Sequence, residues 1–123
     1  MFRQVTDADT AVAAGSGDVP VLATPKLIAW LEAATVEAAA PFTEPGRTTV
    51  GTAIRIEHLR ATPVGGRVEV FAEPPSSVAG RRLTFSVRAV DDSGRLIATG
   101  EIDREIVGRQ RFLASLPHPA ADR

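Results

Sequence analysis

Hydrophobic positions divide the chain into one helical stretch followed by a run of strands. Residues 24–40 (TPKLIAWLEAATVEAAA) are apolar nearly all round, and Glu32 stands in their middle. Ile28, Glu32, Val36 and Ala39 recur at helical spacing and fall along one side. Thr24 suits an N-cap, Pro25 suits the first turn, and Pro41 ends the helix before the FTEPGR loop. Upstream, residues 2–12 read as a first strand and GSGDVP at 15–20 as a loop.

Beyond the helix the period falls to two. Val50, Thr52, Ile54, Ile56 and His58 are expected on one strand face, with Arg55, Glu57 and Leu59 on the other. PVGG at 63–66 turns the chain into a strand over 67–73. Leu83, Phe85, Val87 and Ala89 line the next strand, which DDSG at 91–94 closes as a hairpin turn. The last strand, 96–107, groups Leu96, Ala98, Ile102, Arg104 and Ile106. One apolar helix with four or five antiparallel strands predicts an α+β fold. A curved sheet wrapped around the helix would explain why the helix is apolar on most sides. The free sheet edge and the Trp30, Ala33 and Glu37 side of the helix are expected to meet a second copy, giving a homodimer.

Composition narrows the picture. The chain has 123 residues, and a single domain is expected over 1–112 with a flexible, proline-bearing tail over 113–123. A net charge of −1 gives no reason to expect a nucleic-acid partner. The absence of cysteine excludes disulfides, thiolate metal sites and a cysteine nucleophile, and it is compatible with a cytoplasmic setting. No signal-peptide run or membrane span stands out. Of two histidines, His118 lies in the tail, so no metal-ligand cluster is visible.

Three polar residues are expected on inward faces: Glu32 on the helix, His58 beside Ile54 and Ile56, and Arg104 between Ile102 and Ile106. Titratable groups gathered in one cavity mark a candidate site. N-capping alone accounts for Thr24. Gly51, by permitting close backbone approach, makes the Gly51–Thr52 stretch a candidate for oxyanion stabilisation, and a β-bulge explains the same glycine.

Several stretches carry a resemblance: ATPKLIAWLEAATVEAAAPF, the EPG turn at 44–46, GTAIRIEHLRATPVGG at 51–66, GRRL at 80–83 and GEIDREIVGRQRF. Over about Ala23 to Phe112 the sequence resembles the fluoroacetyl-CoA thioesterase family, within the hotdog-fold acyl-CoA thioesterases. The resemblance implies a hotdog fold, hydrolysis of a small or short-chain acyl-CoA, and a dimer with active sites at the interface. It implies that Thr24, Glu32 and His58 are catalytic and that Gly51 and Arg104 line the substrate site. No cofactor is implied beyond the coenzyme A of the substrate. Arg81 and Arg82, with Arg109 and Arg111, are candidates for holding its phosphates. One departure is that Asp18–Leu22 (DVPVL) contains no aromatic residue where fluoroacetyl-selective members carry a lid aromatic.

Two role assignments stay open. Glu32 is the base or nucleophile with His58 and Thr24 orienting it, or Thr24 is the nucleophile with His58 as base and Glu32 as orienter. Two other activities also stay open: a hotdog enoyl-CoA hydratase or dehydratase, and a non-catalytic acyl-CoA-binding module.

Overall fold

The computed structural model describes residues 1–119. Its elements in chain order are β1 (Phe2–Gln4), α1 (Ala11–Ala14), α2 (Thr24–Ala39), β2 (Arg47–His58), β3 (Arg67–Ala72), β4 (Ser77–Ala79), β5 (Arg82–Asp91), β6 (Leu96–Gly108) and α3 (Arg109–Ala114). All strand pairings are antiparallel, in the order β1-β3-β5-β6-β2, with β4 added on β5. The curled sheet wraps α2, which lies mainly over β3 and β5, and this is the expected α+β hotdog architecture.

The core follows from the two periods meeting. Leu27, Trp30, Leu31 and Ala34 of α2 are buried. They pack in one cluster with Val68 and Val70 of β3 and with Leu83, Phe85 and Val87 of β5. Burying each large apolar side chain stabilises the fold by roughly 1.5–3 kcal/mol. Trp30 therefore belongs to the protomer's own core rather than to a surface awaiting a second copy, with the Arg3 guanidinium 6.0 Å from its ring centre. The open flank of α2 is the side carrying Ile28, Glu32 and Val36, and Val36 is 51% exposed.

Other expectations change in detail. Only Phe2–Gln4 of residues 2–12 is strand; a 3-10 turn over Asp7–Asp9 and then α1 follow. The cap of α2 is Ala23, and Thr24 is already helical, so its hydroxyl has no capping bond. A bulge at Ile97 in β6 buries Ile97 (0% exposed) and leaves Leu96 37% exposed. The tail expected from residue 113 starts as the last turn of α3, and residues 120–123 lie outside the described residues.

The change that bears most on function lies in β2. Gly51 pairs with Arg104 and Ala53 with Asp103, so Thr52 is an extra, unpaired residue. A one-residue bulge reverses which side chains face inward on either side of it. Ile54, Ile56 and His58 share the concave face as expected, but Val50 and Thr52 do not join them. Thr49 and Gly51 face α2 instead, opposite Ile106 and Arg104.

Candidate functional site

Thr24 stands where a braced strap enters α2. Leu22 N–H donates to the Thr62 carbonyl (2.8 Å), and Ala23 N–H donates to the Asp9 carbonyl (2.8 Å). Asp9 in turn accepts from the Thr6 amide and hydroxyl and pairs with Lys26 at 3.6 Å. The Thr6 and Lys26 partners hold the Asp9 carboxyl below its usual pKa, against the opposing effect of its desolvation. With Ala23 as the cap, the Thr24 hydroxyl is released from helix duty and meets His58 Nδ1 at 2.8 Å.

His58 is the last residue of β2, and the chain behind it is pinned because Leu59 and Arg60 both donate their N–H to the Ile97 carbonyl. Burial lowers the His58 pKa from its ordinary 6.5, with the Arg60 backbone acting the other way. A neutral imidazole with Nδ1 as acceptor can take a proton from the Thr24 hydroxyl. The proton of that tautomer sits on Nε2, which is buried without a hydrogen-bond partner. A cavity of about 250 Å³ opens beside the pair, walled by Ala11, Ser16, Val21, Leu22 and Arg60 among others.

Glu32 belongs to a second cluster. Arg104 is 7% exposed and its Nη1 lies 3.7 Å from Glu32 Oε2. Arg104 Nε donates to Thr49 Oγ1 (2.9 Å) and Nη2 to the Thr49 carbonyl (3.1 Å), which fixes the guanidinium plane. Burial lowers the Arg104 pKa from its ordinary value, and the Glu32 charge opposes that shift. Glu32 is not sealed in an apolar wall, since its side chain is 34% exposed in the protomer. Gly51 faces it so closely that a Cβ there would sit 2.7 Å from Glu32 Oε2. Thr49 was missed in the sequence because the Thr52 bulge reverses the alternation that would have revealed it.

The two clusters are separated within one protomer. Thr24 and Glu32 are eight helical residues apart, about 12 Å along the axis. Gly51 and His58 are seven strand residues apart, roughly 20 Å. No hydrogen bond or ion pair joins Glu32 to His58 among the described residues. Both clusters border β2, whose outer edge is unpaired among the described residues and whose Ile54 is 40% exposed.

The arginines expected to hold phosphate belong to neither cluster of the protomer. Arg81 lines a groove of about 450 Å³ with Arg111 and Phe112, beside Val50 and Thr52. Arg82 pairs in register with Glu105, and its charge adds to that of Arg55, the main partner of Asp103, in lowering the Asp103 pKa. Arg109 is exposed at the start of α3 and donates its N–H to the Gly46 carbonyl.

The description of the fluoroacetyl-CoA-specific thioesterase family matches residues 5–110. The fluoroacetyl-CoA thioesterase of Streptantibioticus cattleyicolor is 41% identical over 96 residues, covering 78% of this chain and 68% of that protein. A crystal structure of a phenylalanine-to-alanine variant of the fluoroacetyl-CoA-specific thioesterase, in complex with fluoroacetate and CoA, superposes with a TM-score of 0.83 at 34% identity, covering 93% of this chain and 92% of that one. A thioesterase superfamily member from Thermus thermophilus gives a TM-score of 0.85 at 29% identity, covering 93% of this chain and 83% of that one. With its sequence matched over most of its length, the chain belongs to the fluoroacetyl-CoA-specific thioesterase family.

Proposed function

We propose that this chain hydrolyses the thioester of a small acyl-CoA at a site assembled from Thr24 and His58 of one protomer and Glu32 of a second. The family makes it an acyl-CoA thioesterase, and neither the hydratase nor the ligand-binding alternative is favoured. The carrying observation is the 2.8 Å contact between Thr24 Oγ1 and His58 Nδ1 beside a cavity. It supports the hydroxyl as nucleophile and the imidazole as its base.

In that reading the Thr24 proton passes to His58 Nδ1 as Oγ1 attacks the thioester carbonyl carbon. The C–S bond breaks, and the thiolate leaves as free coenzyme A carrying that proton. His58 then deprotonates a water that attacks the acyl-threonine, releasing the acid and restoring the hydroxyl. Glu32 of the second protomer lies beside the imidazole and steadies the imidazolium through its charge. Arg104, held by Thr49, fixes Glu32, and Gly51 leaves room for the substrate against it.

A homodimer formed along the free β2 edge supplies the missing carboxylate. Antiparallel pairing of two β2 strands would carry the Gly51 end of one against the His58 end of the other. The exposed Ile54 and Val36 would be covered at that seam. The substrate class implies a cytoplasmic setting.

The test is thiol release from acyl-CoAs of increasing length, with Thr24→Ala, His58→Ala and Glu32→Gln. Each variant is expected to lose about 10²–10⁴-fold in kcat with its fold intact. Mixing and refolding Glu32→Gln with His58→Ala should then recover about a quarter of native turnover. Half of the dimers would be mixed and each would hold one intact site, an arithmetic that follows from two-fold symmetry. Near-native turnover in the single variants would overturn the site, and no recovery on mixing would overturn its division between protomers.

A further inference from the structure

In the single protomer the cavity beside Thr24 and His58 carries one permanent charge, and nothing in the catalytic scheme uses it. Among its lining residues Arg60 is the only Lys, Arg, Asp or Glu. Thr24 is neutral, and burial favours the neutral form of His58. No ion pair engages Arg60 among the described residues, whereas Arg47, Arg55, Arg95 and Arg104 all have carboxylate partners. Its backbone is fixed two residues beyond His58 by the N–H bond to Ile97, and the Thr62 carbonyl just after it holds the strap before Thr24. Arg60 thus stands exposed and unpaired among the described residues, on a braced turn that lines the cavity holding the Thr24 hydroxyl. The remaining walls are uncharged: Ala11, Ser16, Val21, Leu22, Leu59 and Ala61.

We infer that the acyl group processed here is short and ends in a carboxylate, and that Arg60 is the residue that selects it. This rests on the thioesterase reading above. A thioester carbonyl near Thr24 puts the acyl group within a few bonds of Arg60, whereas the coenzyme A phosphates lie a whole pantetheine arm away. Arg matches a carboxylate with two parallel N–H donors, and a charged hydrogen bond of this kind discriminates by about ten- to a hundredfold. Asp18–Leu22 supplies no aromatic residue to the cavity, and its contribution to the wall is Val21 and Leu22.

The experiment compares malonyl-CoA with its uncharged amide, malonamyl-CoA, in the native protein, Arg60→Ala and Arg60→Lys. The native protein should favour the malonyl ester in kcat/KM by tenfold or more. Arg60→Ala should erase that preference and Arg60→Lys should keep part of it. Equal or better use of the amide by the native protein overturns the inference. So does an equal loss on both esters in Arg60→Ala, which would assign Arg60 to the coenzyme A phosphates. Repeating the comparison with pantetheine thioesters, which lack the nucleotide phosphates, separates those sources, because a preference for the acyl carboxylate persists without them. If no thioester is cleaved, the thioesterase reading fails. Binding of malonate against its monoamide to native protein and Arg60→Ala, followed by NMR, then reads the inference independently: tighter malonate binding lost in the variant supports it, and no difference overturns it.

Discussion

Replacing Gly51 by alanine should damage the site while sparing the fold. The added methyl would lie 2.7 Å from Glu32 Oε2, 3.9 Å from Glu32 Cδ and 3.6 Å from Arg104 Nη1. Only the first of these is too close. A carbon and a carboxylate oxygen settle at about 3.3–3.6 Å, so the Glu32 carboxylate must retreat by roughly 0.6–0.9 Å. It can do so, because the contact is with the end of a flexible side chain. A displacement near 1 Å costs on the order of 10²-fold in a positioned catalytic group. Stability should not fall: Gly51 has no positive φ, and alanine in a strand is favoured over glycine by roughly 0.5–1 kcal/mol. The expected result in a thiol-release assay is a kcat about a hundredfold down, with an equal or slightly higher Tm by differential scanning fluorimetry. Native turnover would refute the placement of Glu32 at the reacting centre. A matching collapse of Tm would instead show that the methyl acts on the fold.

Two further outcomes follow from the same geometry. Burial lowers the His58 pKa from 6.5 in the protomer, and the Glu32 charge that the second protomer brings opposes that shift, so kcat/KM should rise with pH along one limb that Glu32→Gln moves to lower pH; a limb that stays put would contradict a carboxylate beside His58. The same shift fixes the sign for folding. The unfolded chain binds the proton more readily, so this contribution is full above about pH 6.5 and is lost as pH falls through the folded pKa, a trend that urea melts of His58→Ala should flatten. Ile54→Arg places a charge on the exposed concave side of β2 and should yield a monomer by light scattering with thiol release close to background; a fully active monomer would refute a site shared between protomers.

Much of the architecture was legible in residues 24–107. A helix apolar nearly all round has to be enclosed, and the alternation of Leu83, Phe85, Val87 and Ala89 supplies a surface that encloses it. Arg104 was readable as inward-facing because its strand keeps period two from Ala98 to Ile106. The Thr24 reading failed for an instructive reason. A threonine before a proline has the composition of a cap, but the helix starts one residue earlier than composition suggests, and the hydroxyl goes to His58. Trp30 was misplaced because a large aromatic on a helix suits a core and an interface equally well.

The sequence by itself determined the central helix, the longer strands and the α+β class, because periodicity is a local property, and its resemblance to a known family supplied the hotdog class and the candidate reactive groups. It also set the helical distance from Thr24 to Glu32, since both ride on one rigid element. Tertiary structure decided which groups meet. The Thr52 bulge turns Gly51 and Thr49 toward Glu32 and Arg104, and a bulge leaves no mark in the hydrophobic pattern until the partner strand is in register. The pinning of Arg60 at the Thr24–His58 cavity likewise depends on hydrogen bonds between segments 34 or more residues apart, which no local pattern encodes.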